Sequence, residues 1–174
     1  MTRRSFFFRL CLVCLVLLVP QHALSEWWPT PCSVVPEAAS PIVISRCAVE
    51  YLPPGDVPRE RVTYAAAYAN SGVKKVVAVE IAFLSFDVWN QFMGADLFLQ
   101  RDTLISDGRR QDSWGKVVER WDGLFATYAY VARVRYEDGQ MWSANREAIV
   151  AEVQKQYKGF TAAVLQRNER RAPQ

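Results

Sequence analysis

The sequence predicts a mainly β protein, an antiparallel β-sandwich followed by a C-terminal α-helix. Two observations support the sandwich. Apolar residues recur at every second position in several short segments, and turn-forming glycine, asparagine or aspartate residues separate these segments. Short strands joined by tight turns are typical of two antiparallel sheets packed together. After Asn145 the apolar residues recur instead with the spacing of a helix.

The N-terminal segment has the composition of an export signal. A basic start with three arginines precedes an apolar run over 10–19, and the small-residue motif Ala23-Leu24-Ser25 follows. We therefore expect a signal peptide over 1–25 that is cleaved after Ser25. The protein is then expected to be periplasmic or secreted.

Two alternatives to this interpretation concern the membrane and the export route. The apolar run over 10–19 is shorter than the roughly 20 residues that a membrane-spanning helix needs, and Pro20 follows it. An uncleaved anchor is therefore disfavoured, and no stable membrane anchor is expected after cleavage. The pair Arg3-Arg4 also fits a twin-arginine signal, so the choice between that route and general secretion stays open.

Removal of the signal leaves a chain without net charge. The whole sequence has 21 Lys plus Arg against 18 Asp plus Glu, and three of the arginines but none of the acids lie in 1–25, so 18 of each remain. A nucleic-acid-binding surface normally needs a clear excess of basic residues. No nucleic-acid partner is therefore expected.

The only histidine, His22, lies within the predicted signal. A processed chain without histidine cannot use a Ser/His/Asp or Cys/His mechanism and cannot form a histidine-ligated zinc site. The aspartates between Asp87 and Asp122 also lack the spacing of a calcium-binding loop. We expect no enzyme of these classes, and we predict no catalytic, cofactor-binding or metal-ligating residues.

Two cysteines, Cys32 and Cys47, remain after the predicted cleavage. Disulfides persist in exported proteins, and a bond across a loop of this length stabilises the fold by about 3 kcal/mol. We expect these cysteines to be bonded to each other. The proline-rich segment over 26–41, which contains Cys32, is predicted to run extended over the surface.

Residues 42–145 are predicted to form the sandwich domain. Strands are expected at 42–51, 62–70, 75–87, 95–105, 113–120 and 127–137. The third of these segments is apolar on both faces, so it should be a central strand that is covered on both sides. Glu80 within it is expected at an edge or in a salt bridge.

The last predicted hairpin turns at Asp138-Gly139, a dipeptide that favours a two-residue turn. Such a turn would place Tyr136 opposite Met141 in the core and Arg135 opposite Trp142 on the outer face. A guanidinium stacked on an indole, worth about 0.5 to 1 kcal/mol, is then expected. Ligand recognition by Trp142 is the alternative to this structural role.

A helix is predicted over 146–166, with Asn145 as its N-cap and Gly159 as a point where it can end or kink. Its apolar stripe runs through Ile149, Val153, Tyr157, Phe160 and Val164. We expect this stripe to pack on the protein's own sheet, and binding to a partner is the alternative. Residues 167–174 are expected to form a solvated tail.

The segment 68–87, YANSGVKKVVAVEIAFLSFD, combines an aromatic strand that ends at Asn70 with a β-branched strand that begins after Lys75. It then reads Phe83-Leu84-Ser85-Phe86-Asp87. This segment resembles the FxLYD-type domain, a family of exported bacterial immunoglobulin-like or fibronectin-like sandwiches, although Ser85 departs from the family's leucine. The resemblance implies an immunoglobulin-like sandwich outside the cytoplasm, and it implies no activity.

The segment 87–100 is rich in aromatic residues although we expect it to connect two strands. The predicted partner surface combines its aromatic residues with the outer face of the last hairpin and consists of Trp89, Phe92, Phe98, Arg135 and Trp142. Core filling is the alternative, in which a short helical turn packs Val88, Phe92 and Leu97 over the open end of the sandwich.

These observations together predict an exported, non-catalytic interaction module that binds a protein partner. Two other functions stay open. One is a hydrolase that uses carboxylates in a loop cleft, and the other is a structural subunit that assembles by strand exchange.

Overall fold

The computed structural model describes residues 30–37, 39–52, 59–118 and 123–169. The predicted signal peptide over 1–25 and most of the predicted tail over 167–174 lie outside the described residues.

Within the described residues the chain forms eight strands and two short helices. The strands are β1 (Cys32–Val34), β2 (Ile42–Leu52), β3 (Arg61–Asn70), β4 (Val76–Asp87), β5 (Phe92–Gln100), β6 (Arg109–Val117), β7 (Leu124–Tyr136) and β8 (Met141–Ser143). The helices are α1 (Arg146–Gln154) and α2 (Ala162–Glu169). The predicted mainly β class, with helical structure only at the C-terminal end of the described chain, is confirmed.

The strands form two sheets. One is a five-stranded sheet in the order β1-β7-β4-β5, with β8 beside β7, and the other is a three-stranded sheet in the order β2-β3-β6. β1 pairs with β7 in parallel, whereas the other described strand pairs are antiparallel. The five-stranded sheet is therefore mixed, and not antiparallel throughout as predicted. A parallel pair needs a long crossover, which the intervening strands provide here.

The N-terminal segment is part of this sheet, in contrast to the surface course predicted for 26–41. The Thr127 amide donates to the Pro31 carbonyl at 2.9 Å, and the Val35 amide donates to the Ala129 carbonyl at 2.8 Å. Val35 is buried in the core. The segment therefore supplies hydrogen-bond partners for backbone groups of β7 that would otherwise be unpaired.

The two sheets face each other across one hydrophobic core. Every second residue of β3 from Val62 to Tyr68 points into it, as the period-two pattern predicted. β4 contributes Val79, Ile81 and Phe83 from the other sheet. The ring of Phe83 lies 4.8 Å from the ring of Tyr64, centroid to centroid.

The opposite face of β4 is covered by the C-terminal helices. Leu84 and Phe86 are buried in a second cluster with Ile149, Val153 and Leu165. The prediction that this strand is covered on both sides is therefore confirmed. The helical residues pack on the protein's own sheet, as expected from the apolar stripe.

The predicted single helix over 146–166 is divided in two. α1 ends at Gln154, and its side-chain amide donates to the Phe160 carbonyl at 2.7 Å across the break. The break lets the rings of Tyr157 and Phe160 both reach Phe86, at centroid distances of 4.0 and 5.6 Å. Tertiary packing of these rings therefore outweighs the local preference for a continuous helix.

The predicted N-cap of the first helix is confirmed. The Asn145 Oδ1 accepts a hydrogen bond from the Ala148 amide at 3.1 Å. At the start of α2 the Thr161 Oγ1 accepts from the Val164 amide at 3.4 Å. Each helix thus begins at a side-chain cap.

A bulge in β7 divides its side chains between the two clusters. Glu80 pairs with Arg133 and Ile81 with Val131, so Ala132 is an extra residue in β7. As a result Ala132 faces the helices whereas Val134 faces the three-stranded sheet. Glu80 is salt-bridged to Arg133, at 2.6 Å from the Arg133 Nε, as one of the two predictions for it stated.

The predicted disulfide is present and joins the two sheets. Cys32 in β1 is bonded to Cys47 in β2, with a Cα–Cα distance of 5.7 Å. The bond lies beside the core at the side where β1 and β2 are adjacent. It therefore fixes the position of the N-terminal strand as well as the spacing of the sheets.

We predict that replacing both Cys32 and Cys47 by alanine lowers the free energy of unfolding. A disulfide restricts the unfolded chain, and a loop with a sequence separation of 15 corresponds to a loss of about 3 kcal/mol. Urea denaturation of the variant and the parent measures the difference. A loss below about 1 kcal/mol would show that the bond contributes little beyond the backbone pairing of β1.

A second prediction concerns Thr127, whose side chain is 1% exposed. Its Oγ1 has no hydrogen-bond partner among the described residues. Thr127→Val keeps the side-chain shape and removes the buried hydroxyl, so the free energy of unfolding should rise by about 1 kcal/mol. Thr63→Val on the less buried face of β3 is the control, with an expected change below about 0.5 kcal/mol. Destabilisation by Thr127→Val would contradict the prediction.

Candidate functional site

The turn between β4 and β5 presents two apolar side chains to solvent. Val88 is 52% exposed and Trp89 is 78% exposed. Phe125, at the start of β7, is 51% exposed, and the Val88 amide donates to the Gly123 carbonyl at 3.1 Å, which holds the start of β7 beside the turn. We call Val88, Trp89 and Phe125 the hairpin tip. Grouped exposed apolar residues of this kind characterise binding surfaces.

Asp87 fixes the backbone of this turn. Its Oδ1 accepts hydrogen bonds from the Trp89 amide at 2.9 Å and from the Gln91 amide at 2.8 Å. Asn90 takes the left-handed conformation with φ of 62°, which asparagine tolerates better than most residues. The turn is therefore ordered by its own residues, and binding through it would not need to order the backbone first.

The five residues of the predicted partner surface do not form one surface. Two of them, Trp89 and Arg135, are exposed, whereas the other three, Phe92, Phe98 and Trp142, are partly buried against the hydrophobic clusters. Trp89 lies in the turn after β4 and Arg135 near the end of β7, so the two exposed residues belong to different hairpins.

Phe92 and Leu97 pack against the core, as the alternative interpretation of their segment stated, and Phe98 does so as well. Val88, which the alternative also placed there, is exposed. The Phe92 ring lies 5.0 Å from the Phe160 ring, and the Phe98 ring stacks on Trp114 at 5.1 Å. The predicted helical turn is absent from this segment. Residues 92–100 form β5, because pairing with β4 satisfies backbone groups along the whole segment.

The predicted stack of Arg135 on Trp142 is wrong. The Tyr136 amide donates to the Gln140 carbonyl at 2.9 Å, which leaves a three-residue loop in which Gly139 has a φ of 82°. Arg135 therefore lies opposite Met141, and Trp142 lies opposite Val134.

The shift by one residue reverses the environments predicted for the two residues of β8. Trp142 packs against the core, and Met141 is 60% exposed instead of buried. The cation near an aromatic ring in this hairpin is Lys74, whose Nζ lies 5.4 Å from the centre of the Tyr136 ring. The Lys74 Nζ also forms a salt bridge of 2.7 Å with Asp138.

A row of ion pairs closes the side of the core between β5 and β6. We call it the polar seam, and its charged members are Asp96, Asp102, Arg110, Asp112 and Lys116. Asp96 accepts hydrogen bonds from the Tyr64 hydroxyl at 2.8 Å and from the Lys116 Nζ at 2.5 Å. The carboxylate thereby connects a buried tyrosine of the three-stranded sheet to the edge of the five-stranded sheet.

The second half of the seam repeats this arrangement with an arginine. Asp112 accepts from the Tyr68 hydroxyl at 2.6 Å and from the Arg110 Nε at 2.9 Å. The Arg110 Nη2 also donates to Asp102 at 2.6 Å. Each carboxylate of the seam is therefore bound to a cation, and two of them also bind a tyrosine hydroxyl, which is an arrangement suited to joining the sheets.

Burial raises the pKa of the Tyr64 phenol, and the negative charge of Asp96 raises it further. Burial also raises the pKa of Tyr68, together with its hydrogen bond to Asp112. Both effects favour the neutral phenol, which donates the hydrogen bond to the carboxylate.

In the part of the chain that the structure describes, no group of three or more Cys, His, Asp or Glu residues is placed to hold a metal ion. Neither helix of the described chain is long and apolar enough to cross a membrane.

The raised pKa values of Tyr64 and Tyr68 predict that stability falls at alkaline pH. In the unfolded chain these phenols ionise near pH 10, whereas in the folded protein they keep their protons to higher pH. The contribution is therefore complete below about pH 10 and is lost as the pH rises above it. Urea denaturation at about pH 8 and pH 11 measures the loss, which the double variant Tyr64→Phe and Tyr68→Phe should reduce.

The ionisation of tyrosine, followed by absorbance at 295 nm, provides an independent check on Tyr64 and Tyr68. We expect at least the phenols of Tyr64 and Tyr68 to ionise only together with unfolding. Ionisation of all seven tyrosines while the protein remains folded would contradict the prediction.

No protein-family model and no curated protein matches the sequence. Solved structures that are similar to the chain include a hypothetical protein from Peptoclostridium difficile 630, at 12% identity and a TM-score of 0.48, over 74% of this chain and 97% of that one. Another is the Northeast Structural Genomics Consortium target SoR45, at 15% identity and a TM-score of 0.42, over 60% of this chain and 80% of that one.

Proposed function

We propose that the protein is an exported, non-catalytic interaction module that binds a protein partner through the hairpin tip. The observation that carries this proposal is the exposed indole of Trp89 on a turn that Asp87 holds in place. Tryptophan is the residue most enriched at the energetic centres of protein interfaces, where it enters an apolar pocket of the partner.

The physical basis is the apolar surface of the tip. Burying a large apolar side chain contributes about 1.5 to 3 kcal/mol, and three such side chains are exposed on the turn and on the adjoining start of β7. Since Asp87 already orders the backbone, little conformational entropy is lost when a partner covers the tip. We expect the partner to present an apolar pocket that accepts the Trp89 indole.

Three features support the exported location and the fold type. The composition of residues 1–25 is that of a signal peptide. The Cys32–Cys47 disulfide is favoured in an oxidising compartment. Two facing sheets with an FxLYD-like segment at residues 68–87 support an immunoglobulin-like sandwich as the type of fold.

The experiment has two stages. Crosslinking in the periplasmic fraction with the full chain as bait identifies a captured protein, and calorimetry with the purified partner then measures its affinity. We predict that Trp89→Ala weakens binding at least about 30-fold, which corresponds to 2 kcal/mol at an energetic centre. The same variant should change the free energy of unfolding by less than about 0.5 kcal/mol, because the side chain is exposed.

Matched variants separate the tip from other exposed apolar residues. Phe125→Ala should weaken the same complex, whereas Met141→Ala removes a similarly exposed apolar side chain from a different hairpin and should not. Equal affinity of Trp89→Ala and the parent would exclude the hairpin tip as the binding surface.

A further inference from the structure

Most edge strands of the two sheets carry features that prevent pairing with another chain. β1 and β8 have three residues each. β5 has an extra residue, Met93, opposite the step from Ser85 to Phe86, and α2 lies against it. Short length, bulges and covering elements are the devices by which natural proteins protect sheet edges.

β2 is protected at the other edge of the three-stranded sheet. A register shift interrupts it between Ile44 and Arg46. Its Cys47 is bonded to β1, and its Val49 pairs with Thr30 as an isolated bridge. The N-terminal segment therefore lies beside the outer edge of this strand.

β6 lacks these three features. Inward-pointing charged side chains are a further protection of edges, and those of β6, at Arg110, Asp112 and Lys116, are paired within the chain. β6 pairs with β3 over nine residues, from Arg109 opposite Ala69 to Val117 opposite Arg61, without a register shift. Among the described residues no strand pairs with its other edge. Its own outward side chains carry a single charge, at Arg109, followed by Gln111, Ser113, Gly115 and Val117. The Arg61 guanidinium of β3 lies over Gly115 on this face. A regular strand without charged side chains along most of its outer face is a favourable site for pairing.

We propose that this edge pairs with the same edge of a second copy of the chain. The pairing is antiparallel about a two-fold axis at Ser113, and it joins two three-stranded sheets into one of six strands. It does not involve the hairpin tip, so it is independent of the function proposed above.

The charges along β6 are compatible with this symmetric pairing. On the outer face Ser113 meets Ser113, Gln111 meets Gly115, and Arg109 meets Val117, so no two like-charged side chains of β6 are opposed there. On the inner face Arg110 meets Lys116.

That inner contact brings together two cations that are already neutralised within each copy. Arg110 is bound to Asp112 and Asp102, and Lys116 is bound to Asp96. The polar seam thus removes the repulsion that would otherwise oppose this register. A second copy fits because the strand is complementary to itself, whereas its outer face, with the single charge of Arg109, offers no charge pattern that would select a different chain.

The test is sedimentation velocity of the full chain over about a hundredfold range of concentration, where we expect a monomer–dimer equilibrium. Ser113→Lys and Ser113→Glu each oppose two like charges at the axis, so each should raise the dissociation constant about tenfold or more. An equimolar mixture of the two variants opposes unlike charges and should restore the dimer.

Val43→Lys is the control, because Val43 is an exposed residue on the outer face of the same sheet but in the opposite edge strand. It should leave the dissociation constant unchanged, as should Trp89→Ala. A parent chain that stays monomeric overturns the proposal. It is also overturned if the mixture remains as weakly associated as the separate variants, or if Val43→Lys weakens the dimer equally.

Cysteine crosslinking tests the register. Directly opposed residues of an antiparallel pair have Cα atoms about 4.5 to 5.5 Å apart, within the range for a disulfide. Under mild oxidation Ser113→Cys should form a covalent dimer faster than Gln111→Cys, which faces Gly115 in this register. The opposite order of rates overturns the assignment of the axis to Ser113.

Discussion

Burial of β4 on both faces is the constraint on which the rest of the structure depends. Ile81 and Phe83 pack against the three-stranded sheet, whereas Leu84 and Phe86 pack against the helices. A strand without a solvent-facing side needs an apolar layer above and below it and a strand at each edge. The facing sheet, the C-terminal helices, β5 and β7 meet these four needs.

The two sides of the core between the sheets are closed by different chemistry. At one side the Cys32–Cys47 disulfide joins β1 to β2 covalently. At the other side the polar seam joins β5 to β6 through carboxylates that bind both cations and buried tyrosine hydroxyls. The polar seam keeps the inward charges of β6, at Arg110, Asp112 and Lys116, paired within the chain. The outward side chains of the same strand carry one charge, at Arg109.

The two proposed contact surfaces differ in the part that the backbone plays in recognition. The hairpin tip offers side chains on a turn whose amides are already bound by Asp87, so recognition there depends on the apolar surface of Trp89 and its neighbours. The edge of β6 offers a regular backbone with small or uncharged side chains, so recognition there depends on hydrogen bonding between strands. The two surfaces can therefore be occupied independently.

The sequence by itself determined the strands with regular alternation, the doubly apolar β4, the cysteine pair, the Asn145 cap and Trp89 as a candidate contact. Each of these follows from side-chain pattern, from cysteine number or from capping within a few residues. Only the tertiary structure decided that β1 pairs in parallel, that Ala132 bulges, that Phe92 and Phe98 belong to the core, and that Trp142 points inward. These outcomes depend on loop length, register and packing between distant segments, where a shift of one residue exchanges the buried and exposed faces of a strand.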